Sequence, residues 1–298
     1  MKNINLSIDV QNSGWEKNAL RHLEETGVVV LSNVVKEEIV EKIILDANSV
    51  LSVPSIFGSY GYIQKDPFKK MFDGFLFSEN VIDVIVNKKV IKLIKSYLNQ
   101  DILISECFLK HDLGTSNSYF PYHRHTGTDL DFPKGKKFGC GVMMYLHDTD
   151  IGAFCYVPAS HKMTIDKKIY LLEQEKSEKL NENLSRVVGK KGDIVIFNEA
   201  GYHGPEQPVS KSRTVILSNY QAKEMTGNKM KTDIPVLMSS LGKLDSEQME
   251  ALGYGAGYRG RFNSYHMRKR KITLTDKIAT GVISFSNRLS RLKNRIKH

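Results

Sequence analysis

Residues 192–203 read Gly-Asp-Ile-Val-Ile-Phe-Asn-Glu-Ala-Gly-Tyr-His, a tight turn feeding a short apolar strand whose far end presents a histidine. The same grammar recurs on both sides of it. Apolar and β-branched runs stand at 102–109, 118–123, 138–146, 153–157 and 213–220, with Gly, Pro and Asp between them. Several short strands punctuated in this way predict an all-β sandwich or barrel. A charged stretch at 166–186 reads as a helical insert. Upstream the period changes. Residues 15–26, 36–52 and 79–98 place apolar groups at helical spacing, and Gly27 ends the first of these before the strand Val28–Leu31. The expected fold class is therefore mainly β with a helical N-terminal region (α+β), the helices packed on a double-sheet core.

A chain of 298 residues, 41% hydrophobic and 26% charged, suits one large domain or two small ones. This composition excludes wholesale disorder, a collagen-like fibre and a disulfide scaffold. Cys107, Cys140 and Cys155 are odd in number and far apart, and read as reduced, buried thiols. No apolar run has the roughly 18–20 residues of a membrane span. The opening MKNINLSIDV has no signal-like stretch, so a cytoplasmic location is expected. The net charge of +10 is a local property. Residues 266–298 hold ten Lys or Arg against the single acid Asp276, so residues 1–265 are nearly neutral. A neutral body with aromatics at core-like spacing argues against nucleic-acid enzymology. The division expected is a domain at 1–265 and a basic amphipathic tail at 266–298.

Chemistry concentrates in two motifs. The first is Tyr122-His123-Arg124-His125-Thr126-Gly127-Thr128-Asp129-Leu130-Asp131, at a strand end. Histidines at i and i+2 on a strand point the same way, and an aspartate can swing in from the following turn. The second motif is His203, with Arg213 ten residues on at the start of another strand. Two imidazoles and a carboxylate on one metal face, with open positions opposite, describe a non-heme Fe(II) oxygenase site. An arginine across the pocket can hold a dicarboxylate with two parallel hydrogen bonds.

Residues 138–162, ending in Val157-Pro158-Ala159-Ser160-His161-Lys162, resemble the phytanoyl-CoA dioxygenase family, as do the helix–GVVVLSNVV–helix opening and the run from Gly192 to Gln221. The resemblance covers 16 to about 222. It implies a double-stranded β-helix (jelly-roll, cupin-like) that uses Fe(II) and 2-oxoglutarate, with His203 as the distal metal ligand and Arg213 as the anchor of 2-oxoglutarate. His161 belongs to the family's structural turn. The departure is at the proximal motif, where the family has His-x-Asp and this chain has His123-Arg124-His125 followed by Asp129. Three ligand sets remain open: His125/Asp129/His203, ranked first; His123/His125/His203; and a cupin-like set.

The activity implied is hydroxylation of a C–H bond in a small-molecule, lipid-linked or sugar-containing substrate. Its rivals are a cupin-like metalloenzyme that does not use 2-oxoglutarate and a non-catalytic jelly-roll binding protein. The aromatic and glycine-rich segment 54–76 reads as a substrate lid. In the tail, Ile278, Val282, Phe285, Leu289, Leu292 and Ile296 form one helical stripe flanked by basic residues. Such a helix suits peripheral contact with an anionic membrane.

Overall fold

Gly27 sets the entry into the sheet. Helix α1 (Trp15–Glu25) buries Ala19 and Leu23 on one face, and Gly27, at φ +85°, returns its N–H to the carbonyls of His22 and Leu23. A Cβ at Gly27 would lie 2.5 Å from both the His161 ring and the Tyr156 hydroxyl, so the turn also admits a close approach. The computed structural model describes residues 1–51, 68–72, 78–112, 114, 122–125, 137–149, 152–163, 182–206, 211–223 and 242–253.

Helix α2 (Glu37–Leu51) buries Val40, Ile43 and Ala47. The stretch 79–98 is two helices rather than one, α3 (Val81–Ile85) and α4 (Lys88–Leu98). Asn87 divides them because its side chain accepts the Lys89 N–H at 3.0 Å and caps the second helix. A last short helix, α5 (Ser246–Ala251), starts at an Asp245/Gln248 capping box.

Two sheets follow. The larger has the order β2 (Ser7–Asp9), β3 (Val28–Ser32), β9 (Ile194–Asn198), β6 (Gly139–Tyr145), β11 (Arg213–Ala222), β5 (Ile102–Asp112) and β4 (Phe68–Phe72). The smaller has the order β1 (Lys2–Ile4), β8 (Ser185–Val187), β7 (Phe154–Tyr156) and β10 (His203–Pro205). Strand β8 takes the end of the stretch read as a helical insert, pairing with β7 and, in parallel, with β1. Alternation along the strands builds two cores. Ile194, Ile196, Cys140, Val142 and Met144 pack beneath the helices, with Leu23, Ile43 and Ile94. Val195, Phe197, Met143 and Tyr145 face the smaller sheet and meet Phe154 and Tyr156. The sheets pack face to face as in a jelly-roll.

All three cysteines are buried and free. Burial pushes the Cys155 thiol up to about 12, and Cys140 is raised as well. Among the described residues no helix is long and apolar enough to cross a membrane. The tail 266–298, most of the segments 54–76 and 166–186, and Asp129 lie outside the described residues.

Candidate active site

His203 opens β10, where its neighbour across the smaller sheet is Tyr156. On its other side it meets the proximal motif. His123 and His203 exchange both backbone hydrogen bonds, at 2.8 and 2.9 Å, in an isolated antiparallel bridge. That pairing holds the two imidazoles side by side, with ring centroids 4.6 Å apart. Two residues on, His125 returns to the same face and its N–H donates to the Glu199 carbonyl at 2.8 Å. The three rings offer ligand nitrogens within 4.8 Å of one another. The intervening Arg124 points away. Its guanidinium donates to the carbonyls of Ala200, Ser160 and Met163, which ties the proximal segment to the turn around His161. His161 therefore stays with the structural turn, as the sequence motif implies.

His203 is set to act as a neutral imidazole. Burial, and then the nearby His123 and His125, hold His203 well below the ordinary histidine range. Its Nδ1 lies 2.8 Å from the Gly201 carbonyl, which selects the tautomer with Nε2 free. The Nε2 atoms of His123 and His125 approach to 3.0 Å, so both present the same nitrogen to a common point. Phe154 and Phe197 flank His203 as tilted rings, at 5.7 and 4.7 Å between centroids.

The imidazoles open into a cavity of about 230 Å³. One wall is a ladder of cross-strand pairs between β11 and β5: Arg213 with Asp112, Val215 with Lys110, Leu217 with Phe108, and Asn219 with Glu106. Arg213 is nearly fully buried. Its Nε donates to Asp112 and its Nη1 to the Gly152 carbonyl at 2.6 Å. Burial alone would raise the Asp112 carboxyl, but Lys110 and Arg213 together hold it below its usual range. At the far end, the Asn219 amide donates to Glu106.

The structure thus brings His123, His125 and His203 together and puts Arg213 on the same cavity. Lys110, Asp112, Glu106 and Glu199 carried no role in the sequence reading. Period-2 alternation along Ile102–Asp112 is the signal that places Glu106, Phe108 and Lys110 on one face. Nothing local marks Glu199, whose contacts come from His125 and Gly139, 74 and 60 residues away.

The sequence matches the family model for phytanoyl-CoA dioxygenase (PhyH) over residues 23–215. No curated protein matches in sequence. Among solved structures, the chain is similar to EctD from S. alaskensis with bound Fe, at 14% identity and a TM-score of 0.59, covering 74% of this chain and 83% of that one. It is similar to HygX from Streptomyces hygroscopicus with nickel and 2-oxoglutarate bound, at 20% identity and 0.53, covering 70% and 87%. The non-heme alpha ketoglutarate dependent epimerase SnoN from nogalamycin biosynthesis matches at 11% identity and 0.57, covering 71% and 84%. At these identities the likeness is one of fold.

Proposed function

The chain belongs to the phytanoyl-CoA dioxygenase family of Fe(II)- and 2-oxoglutarate-dependent oxygenases, and we propose that His123, His125 and His203 are its metal ligands and Arg213 its 2-oxoglutarate anchor. The observation that carries the reading is the cluster of three imidazoles opening into a cavity that Arg213 also lines. The donor set fits the metal, since neutral imidazole nitrogens suit ferrous iron and a one-faced cluster leaves positions for small ligands. Iron bound there with 2-oxoglutarate and oxygen supplies the oxidation of a C–H bond.

The chain's own residues supply the rest. The Gly201 carbonyl orients His203, and the His123–His203 bridge fixes the spacing of those two ligands. Phe154, Phe197, Val215 and Leu217 give the cavity an apolar lining. Asp112 and the Gly152 carbonyl hold the Arg213 guanidinium in place for the far carboxylate of 2-oxoglutarate.

The substrate read here is a small molecule. HygX has been solved with hygromycin B bound, and SnoN with nogalamycin RO, which supports that class. The finer reading is that residues 1–265 form the oxygenase domain and that 266–298 contact an anionic membrane on the cytoplasmic side, near a lipid-linked substrate. Its support is the +9 charge of the tail beside a neutral body. Co-sedimentation with anionic liposomes of the full chain, but not of a 1–265 truncation, is the expected result.

The central test is succinate formation from 2-oxoglutarate with Fe(II). Turnover is expected in the wild type and none in His203→Ala, with loss of stoichiometric iron. Iron retained in that variant overturns the ligand assignment.

A further inference from the structure

On the reading that His123, His125 and His203 hold the metal, we infer that Glu199 is a positioning residue that supplies, through His125, the negative charge this ligand set lacks. A set of two imidazoles and a carboxylate offsets part of the charge of a divalent metal, whereas three neutral imidazoles offset none. In the His-x-Asp pattern counted from His123, the position of the carboxylate is held by His125.

Glu199 is placed to make up the difference. It is 1% exposed, and neither carboxylate oxygen has a hydrogen-bond partner among the described residues. Its Oε1 lies 3.5 Å from His125 Nδ1, while its own carbonyl accepts the His125 N–H at 2.8 Å. Because His125 Nε2 faces the other rings, Nδ1 is the nitrogen turned to the acid. The other acids near the cavity are committed: Asp112 to Arg213 and Lys110, Glu106 to Asn219, and Glu206 to Arg186 and the Gly152 N–H. Among the described residues the Glu199 carboxylate has no hydrogen-bond partner and faces the His125 ring, and a buried acid held in that way costs stability. Such a group persists where it does something other than stabilise the chain. An imidazole whose Nδ1–H faces a carboxylate is a more basic, more electron-rich ligand than one facing a carbonyl, as His203 does.

The proposal separates metal affinity from stability. Titration of the full, metal-free chain with Co(II) gives the dissociation constant, and thermal melting of the same sample gives its Tm. Glu199→Gln keeps an acceptor and removes the charge; Glu199→Met removes both. The Co(II) dissociation constant is expected to rise at least tenfold in both, within the roughly 10–100-fold range for lost partners of metal ligands. The metal-free Tm is expected to stay level or rise, because an orphaned carboxylate has left the interior. A dissociation constant within tenfold of wild type in both variants overturns the role of Glu199, and so does weakening seen only with a lowered Tm. His203→Ala serves as the control. If it takes up Co(II) as the wild type does, the ligand set falls and this inference falls with it; if it does not, a negative result concerns Glu199 alone.

Discussion

The two sheets that enclose the cavity are held together in different ways. In the larger, β11 pairs with β5 along its whole length from Arg213–Asp112 to Ala222–Ile102, and backbone ladders do most of the work. In the smaller, every strand is three residues long, too short for the ladder to fix geometry unaided. Side chains prop it instead. The Tyr145 hydroxyl donates to the Val187 carbonyl and accepts from the Phe154 N–H, Tyr156 donates to the Asn198 carbonyl, and Ser160 accepts the Tyr202 N–H. His203 sits on the propped sheet, whereas Arg213 sits on the laddered one. The proposed metal ligands therefore depend on a few specific tyrosine, serine and arginine contacts, while the proposed anchor of the cosubstrate depends on the frame.

The first way to test that contrast is to remove a ligand. His123→Ala is expected to abolish metal-dependent turnover while Asp129→Ala keeps most of it, measured as succinate released. The reverse order would restore a carboxylate to the ligand set. Next come paired changes in the two regions. Ile196→Ala in the large sheet is expected to cost about 3 kcal/mol in denaturant melts and leave Co(II) affinity unchanged. Arg124→Met is expected to cost about as much, roughly 1 kcal/mol for each of the three carbonyls it releases. Unlike the first, it should also weaken Co(II) binding, and equal affinities would erase the distinction between the sheets.

A smaller effect concerns Asp112. Its folded pKa is depressed below the ordinary 3.8, so its ion pairs contribute fully above that value and are lost as the pH falls below it. Asp112→Asn is expected to lose about 2 kcal/mol near neutrality, with the two proteins converging in acid. A gap that stays constant down to pH 2 would separate the effect from ionisation. The smallest change is Arg213→Lys, which keeps the charge and loses the planar fork. The KM for 2-oxoglutarate is expected to rise about tenfold with the fold intact, as read by circular dichroism.

Much of this was legible in the sequence because it is local. The alternation in Ile194–Phe197 and Gly139–Tyr145 and the helical spacing before Gly27 carry their meaning within a few residues. What was not legible depends on distant pairing. Lys2–Ile4 and Ser7–Asp9 are short and polar, and become strands only because β8 and β3 lie beside them. Asn87 splits a continuous apolar pattern through a cap that periodicity does not register. The His123–His203 bridge that brings the three imidazoles together joins residues 80 apart in sequence.

The ladder of side-chain pairs along β5 and β11 has a consequence for how such a protein changes over time. Phe108 and Leu217 face one another in the middle of the wall, and the three clustered histidines lie on neither of their strands. Exchanging that pair for smaller or larger residues alters the shape of the chamber without rebuilding the site where oxidation occurs. Selection can therefore try new substrates two positions at a time against a constant reaction. A combinatorial library at 108 and 217, screened by product mass, would use the same freedom in the laboratory.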